Sequence, residues 1–356
     1  MNKLDFPINL YCRKAPLKVK TIDLCRKKTD FRKVYIVEEE SRKIVIKHSS
    51  NAFTDEQAVK GWFRLIQAYN SLGIYCPSAV KNLNGDIVFT YEEDGRKFCV
   101  YAEEFAIYKT AEETGRKKIK NKDGSDIYTP DLFRSLGRVA AARLDVVDHH
   151  SVFCLLEPHT DDDETDEGTE CAETFTKILK EKFPEFSERA DKLLTLFYKR
   201  KEELREVYHD LPTSCFQSDL HDGNVLLDSE KRFVGLIDFN LCGKEPVVNY
   251  VVREALWSAK DLKCLWGRKG RVKWFYDMKL DEIRIENFKR IIGYVCENYE
   301  FNEKEKQVFP ILFRYMNSYW WHQISEIKRI KHNKKKIEKI LDWLEFQMNR
   351  DDIRLP

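Results

Sequence analysis

Up to about Tyr101 the chain is dominated by short runs of strand-like alternation, and after Thr110 the spacing of its apolar residues becomes mainly helical. Val34-Tyr35-Ile36-Val37 and Ile44-Val45-Ile46-Lys47 are β-rich runs on either side of a charged turn, Glu38 to Lys43, and predict a hairpin. Between them and the next strands Ala58, Trp62, Leu65, Ile66 and Tyr69 recur at helical spacing, with Thr54 and Gln57 in capping-box order and Gly73 as the stop. Ile87 to Tyr91 and Lys97 to Tyr101 surround the turn signal Glu93-Asp94-Gly95, and the second run continues into Glu103-Glu104-Phe105-Ala106. Helical periodicity then predicts Asp131–Val147, Ala190–Tyr208, Leu280–Glu300, Glu303–Ile327 and Lys335–Met348. These patterns describe an α+β chain in two lobes: residues 1–103 as antiparallel sheet plus one helix, 104–107 as a hinge, and 108–356 as a mostly helical lobe.

Composition narrows the class of protein. An apolar fraction of 42%, with 22 Phe, 16 Tyr and 7 Trp, provides enough burial to offset the entropy of ordering, so the chain folds. Lys and Arg total 62 against 60 Asp and Glu, a net charge of +2, which supplies no long-range field for nucleic acid. The 10 cysteines stand singly, without a Cys-x-x-Cys pair, and read as reduced thiols. No stretch approaches the ~20 apolar residues of a spanning helix, so the expectation is a cytoplasmic protein without a membrane partner. Its oligomeric state is not legible.

The segment with the densest chemistry is Gln217-Ser218-Asp219-Leu220-His221-Asp222-Gly223-Asn224-Val225-Leu226-Leu227, followed by a charged turn and Phe233-Val234-Gly235-Leu236-Ile237-Asp238-Phe239. If the turn centres on Glu230-Lys231, antiparallel pairing sets Asn224 opposite Ile237 and beside Asp238. Gly223 permits the loop that would turn the Asp219 carboxylate toward the same place. Phosphoryl transfer needs this set. Mg²⁺ prefers a few hard oxygen ligands besides the substrate phosphates, a role Asn224 and Asp238 fit. A carboxylate that does not hold metal must take the acceptor's proton, and Asp219 is the candidate. Lys47, at the end of Ile44-Val45-Ile46, matches the strand lysine that reaches the α/β-phosphates. His221 reads as a loop support rather than a ligand.

Asp219-x-x-x-x-Asn224 followed by Ile237-Asp238-Phe239 resembles the catalytic loop and metal motif of the aminoglycoside phosphotransferase and choline kinase group of kinase-like enzymes. The resemblance implies a two-lobed protein-kinase-like fold and transfer of the γ-phosphoryl group of ATP or GTP, with Mg²⁺, to a hydroxyl of a small, aminoglycoside-like or amino-alcohol acceptor. It implies that a purine edge pairs with the backbone of Glu104 and Ala106 beside Phe105, and that Glu56, the sole glutamate of the predicted helix, is the candidate partner for Lys47. Two departures stand out: Gln217 replaces a histidine two residues before the catalytic aspartate, and no glycine lies between Thr21 and Glu40, so a phosphate cradle would be made by Arg26 to Asp30. A second reading stays open, a kinase-shaped structural protein such as the spore-coat-associated relatives. A protein kinase is disfavoured, because no Ala-Pro-Glu segment follows Asp238.

Three further features carry alternatives. The acidic run containing Asp161, Asp162 and Asp163 is a solvated loop or, for a cationic acceptor, an electrostatic trap. Tyr315, Tyr319, Trp320 and Trp321 are core or an aromatic box. The basic stretch Lys328 to Lys336 lacks interleaved aromatics and reads as surface.

Overall fold

Tyr35, Val37, Ile44 and Ile46 are buried with Val100 and Ala102 on one face of a sheet, at the two-residue period of their strands. The computed structural model describes residues 6–25, 30–156 and 166–356. Its first part is a six-stranded sheet whose named pairings are all antiparallel. Lys18–Asp23, Phe31–Glu38, Lys43–Ser50 and Arg96–Glu104 lie side by side, and the far edge of Arg96–Glu104 carries both Ala79–Val80 and Val88–Glu93. The turn at Asp94 and Gly95 has both residues at positive φ, 52° and 72°, as a two-residue hairpin loop requires.

The helix Glu56–Ser71 packs on the other face, with Trp62 edge-on to Tyr101 at 5.7 Å. Its cap falls one residue later than the sequence pattern suggests: the Asp55 side chain, not Thr54, accepts from the Ala58 amide. Lys47 also differs from expectation, lying in mid-strand because Lys43–Ser50 runs three residues beyond it.

After Thr110 the chain is chiefly helical, with a core continuous with that under Glu56–Ser71. The predicted helix Glu303–Ile327 is two, Glu303–Met316 and Trp321–Arg329. At the break Ser318 Oγ donates to the Tyr315 carbonyl and Asn317 Nδ2 to Gln347, so these side chains offer the backbone an alternative to continuing the helix. Two of the longer helices have no counterpart in the sequence pattern. Val247–Ala259 is buried on nearly every side and therefore has no polar stripe to set its period. Glu167–Lys182 begins inside the acidic run, capped by Asp166. None of the ten cysteines forms a disulfide. Among the described residues no helix is long and apolar enough to cross a membrane.

Candidate active site

The hairpin predicted around Glu230-Lys231 is present. Val225 pairs with Leu236 and Leu226 with Gly235, and the Ile237 amide donates to the Asn224 carbonyl at 3.0 Å. Asn224 and Asp238 therefore leave neighbouring strand ends. The hairpin is bound to the first lobe at Gly235, where a Cβ would lie 1.8 Å from the Tyr75 carbonyl. That close approach lets Tyr75 accept from the Leu236 amide and donate to the Val234 carbonyl, both at 2.9 Å.

Ser218 and Asp238 adopt left-handed backbone, φ 71° and 59°, a conformation that costs non-glycine residues energy and is held here by the surroundings. Gln217 supplies much of the support. Fully buried, it donates from Nε2 to the carbonyls of Ile237 (2.9 Å) and Asp238 (2.7 Å) and accepts the Asp219 amide on Oε1 at 2.8 Å. One amide side chain, standing where the resemblance has a histidine, fastens the Asp219 loop to the Asp238 loop. Asn224 Nδ2 donates to the Asp219 carbonyl and to its Oδ2, at 2.9 and 3.0 Å, so its amide hydrogens face Asp219 and its Oδ1 remains for a cation. His221 Nδ1 accepts the Gly223 amide at 3.0 Å, the loop-supporting role read from sequence. Burial raises the Asp219 carboxyl above its ordinary range, with the neighbouring His221 opposing it.

Across the cleft Lys47 Nζ lies 3.1 Å from Asp238 Oδ1 and 3.1 Å from Glu103 Oε1. Burial disfavours the ammonium, but the two carboxylates outweigh it and its pKa rises. Glu103 is itself pushed up by burial, against the pull of Lys47. The partner is thus Glu103, in correction of Glu56. Lys47 opposes Tyr101 and Val45 opposes Glu103, so lysine and glutamate are diagonal neighbours on one face. Glu56 faces away and pairs with Lys60 at 2.6 Å.

At the expected hinge the Glu104 amide donates to the Ser78 carbonyl and the Phe105 amide to the Lys43 carbonyl, at 2.9 and 3.0 Å. The Ala106 amide has no such partner among the described residues, and the Phe105 ring sits under the Lys43 ammonium at 3.6 Å. Arg26 to Thr29 of the expected phosphate cradle, and Asp161, Asp162 and Asp163, lie outside the described residues.

The sequence gives no warning of a buried network behind Asp219. The fully buried Glu245 accepts from Ser218 Oγ (3.2 Å), Ser151 Oγ (2.7 Å), Asn249 (2.5 Å) and Arg253 (2.9 Å). Arg253 also donates to Glu254 at 2.9 Å and to the Phe153 carbonyl at 3.2 Å. Burial pushes Glu254 up to about 7, opposed by Arg253. Arg253 borders a cavity of about 370 Å³ in the helical lobe, walled by Phe153, Trp257, Tyr319, Trp320 and Trp321.

Asp238 and Asn224 present two hard oxygen donors, the donor type that Mg²⁺ selects, and the described residues contain no cluster of three or more His, Cys, Asp or Glu that would favour another metal.

Comparison with known proteins identifies the fold and the family. No curated protein gives a significant match to the chain. Among solved structures the fold is shared with an aminopropanol kinase associated with a microcompartment, at TM-score 0.52 and 14% identity, over 97% of this chain and 94% of that one. It is shared also with an amicoumacin kinase solved with AMP-PNP and Ca²⁺, at TM-score 0.50 and 14% identity, over 98% and 94%. The family model described as the phosphotransferase enzyme family matches residues 21–249, which span the lysine strand, the Asp219 loop and Asp238, and the chain belongs to that family.

Proposed function

We propose that the protein transfers the γ-phosphoryl group of ATP or GTP to a hydroxyl of a small, amino-alcohol-like acceptor, with the purine at residues 104–107 between a lobe of residues 1–103 and one of 108–356. The observation that carries this reading is the convergence of Asp219, Asn224 and Asp238 opposite Lys47, a residue 191 positions from Asp238 in sequence. Such an assembly of one non-ligand carboxylate, two oxygen donors and a buried cation is what phosphoryl transfer asks of a protein.

In this reading Lys47, fixed by Glu103, holds the α/β-phosphates, and the backbone of Glu104 and Ala106 meets the base edge beside Phe105. Asn224 Oδ1 and Asp238 would hold Mg²⁺, which when bound neutralises charge on the phosphate oxygens. Asp219 accepts a hydrogen bond from the acceptor hydroxyl and takes its proton as the oxygen attacks phosphorus. The bond from phosphorus to the bridging oxygen breaks, and the nucleoside diphosphate leaves with that electron pair. The raised pKa of Asp219 brings its basicity closer to the hydroxyl proton it must receive. Calorimetric titration of ATP and GTP with Mg²⁺ is the test: saturable, Mg²⁺-dependent binding of one of them is expected, and absence of binding by both at millimolar concentration overturns the proposal.

A further inference from the structure

The cavity beside Arg253 adjoins the Asp219 loop through a short chain of contacts: the Phe153 carbonyl on its wall to Arg253, Arg253 to Glu245, and Glu245 to Ser218. Arg253, on its wall, is also near enough to act on the Asp219 carboxylate, whose charge it favours. The cavity's volume of about 370 Å³ suits a molecule of fragment to drug size.

Its chemistry is aromatic. Trp257, half exposed, and Trp320 hold their rings nearly parallel, 14° apart with centroids at 6.4 Å, and Phe153, Tyr319 and Trp321 complete the wall. The charges are mostly committed already. Asp166 accepts from Lys201 (2.8 Å), Tyr315 (2.6 Å) and the Thr169 amide (3.0 Å); burial opposes its charge, but these partners outweigh it and hold its carboxyl below the ordinary range. Glu254 is held by Arg253. Among the described residues of the wall, Glu167 is the one carboxylate without a cation against it, while Lys201, Arg205 and Arg253 bring three positive charges.

Behind Trp257 the surroundings disfavour charge as well. Lys260 lies against the Trp257 ring, buried, and its Nζ has no hydrogen-bond partner. Burial drives its pKa down to about 6, although Asp261, Glu254 and Glu167 favour the charge. At the wall itself one uncommitted carboxylate can match one ammonium, and a molecule bringing several would leave the rest unpaired beside Lys201, Arg205 and Arg253.

We infer that the acceptor taken by this cavity is a ring-bearing, largely apolar alcohol with at most one cationic centre, packed against the exposed part of Trp257 and its aromatic neighbours, and not a polyamine such as an aminoglycoside. The inference deepens the phosphotransferase reading and rests on it. Apolar area and ring contact supply the affinity, a single amine is matched by Glu167, and the hydroxyl is presented toward Asp219.

The test is calorimetry on the full chain with Mg²⁺ and AMP-PNP, whose own binding reports on the parent reading. Three probes follow: 2-amino-1-phenylethanol, its neutral analogue 1-phenylethane-1,2-diol, and kanamycin. One or both phenyl probes should bind with a negative heat-capacity change, and Trp257→Ala should weaken them by about tenfold while Trp257→Phe retains them. Kanamycin should give no binding heat at about 1 mM. If the alanine variant does not fold, Trp257→Leu keeps the apolar volume without the indole face. Binding of kanamycin in preference to both phenyl probes overturns the inference. So does phenyl-probe binding that neither Trp257→Ala nor Trp257→Leu affects, or AMP-PNP binding with no binding of either phenyl probe. Failure of AMP-PNP itself overturns the reading beneath it.

Discussion

The centre around Asp219 and the aromatic cavity beside it share Arg253, yet they are made by opposite means. The first is an arrangement of charges: Lys47 between Glu103 and Asp238, Gln217 tying two strained loops, and Asn224 turned by Asp219. Each contact is directional, and few residue types can replace those present. The second is a volume between rings, in which position matters more than identity. Loss of one group should therefore damage the first centre in turnover or nucleotide binding and the second in acceptor binding.

The largest effect is expected at Asp219. Asp219→Asn keeps the size of the side chain and removes the base, so kcat should fall by ~10²–10⁴-fold while Mg²⁺-nucleotide affinity stays close to wild type. Because burial raises its pKa, the acid limb of kcat/KM should lie above the ordinary carboxylate range, the base being lost as pH falls through the raised value. Wild-type turnover in this variant, on a substrate established for the native protein, would sink the assignment.

Next in size are the charges around Lys47. Asp238→Asn removes both a partner of the ammonium and a candidate metal ligand, and Mg²⁺-dependent nucleotide binding should weaken by about 10–100-fold. Glu103→Gln should raise the nucleotide KM by about tenfold, and Glu56→Gln should leave it unchanged. The reverse order for the two glutamates would return the pairing to the helix and contradict the geometry in which Lys47 and Glu103 are diagonal neighbours.

That pair also marks how far a sequence can be read. The register of the hairpin around Glu230-Lys231, and with it the approach of Asn224 to Asp238, follows from counting residues about one turn, because two apolar runs leave little choice of pairing. The partner of Lys47 depends on the register between strands some fifty residues apart, which no local turn fixes. A glutamate two positions beyond Tyr101 was visible, but nothing local set it beside the lysine. The cavity was harder still. Its described walls come from residues 152–156, 166–171, 201–205, 253–257 and 315–322, and its rings have the spacing that any buried helix shows. The Glu167–Lys182 helix did carry a signal, since Asp166 as cap with Glu167 and Glu170 behind it is what a helix N-terminus favours. The long run of like charge before it concealed the start.

A smaller effect on turnover and a clear one on stability are expected at Gln217. Gln217→Ala strands the Asp219 amide and the Ile237 and Asp238 carbonyls in a buried place, at a cost of about 2–4 kcal/mol. Denaturant midpoints should fall accordingly, and kcat should drop by less than in Asp219→Asn. Gln217→His, with two ring nitrogens for three contacts, should recover part of both. If Gln217→Ala is as stable and active as wild type, the two loops are held by something other than this side chain.

The smallest effect, and the one that bears most directly on the comparison of charge with shape, concerns Asp161, Asp162 and Asp163. Neutralising all three to Asn removes three negative charges from the stretch between Leu156 and Asp166, both of which line the cavity. For a polycationic acceptor these charges would raise the encounter rate, and kcat/KM should then fall at low salt and be restored toward equality with wild type as salt screens the field. For a ring-bearing acceptor with one amine the attraction acts on a single charge across solvent, where each exposed interaction is worth less than about 1 kcal/mol. The expected result is a change in kcat/KM of no more than about threefold at low salt and none near physiological ionic strength. Trp257→Ala, measured beside it, should lose acceptor affinity at every salt concentration. A triple variant that loses more than Trp257→Ala, in a salt-dependent way, would mean that the acceptor is recognised by charge and that the aromatic cavity is not its principal contact.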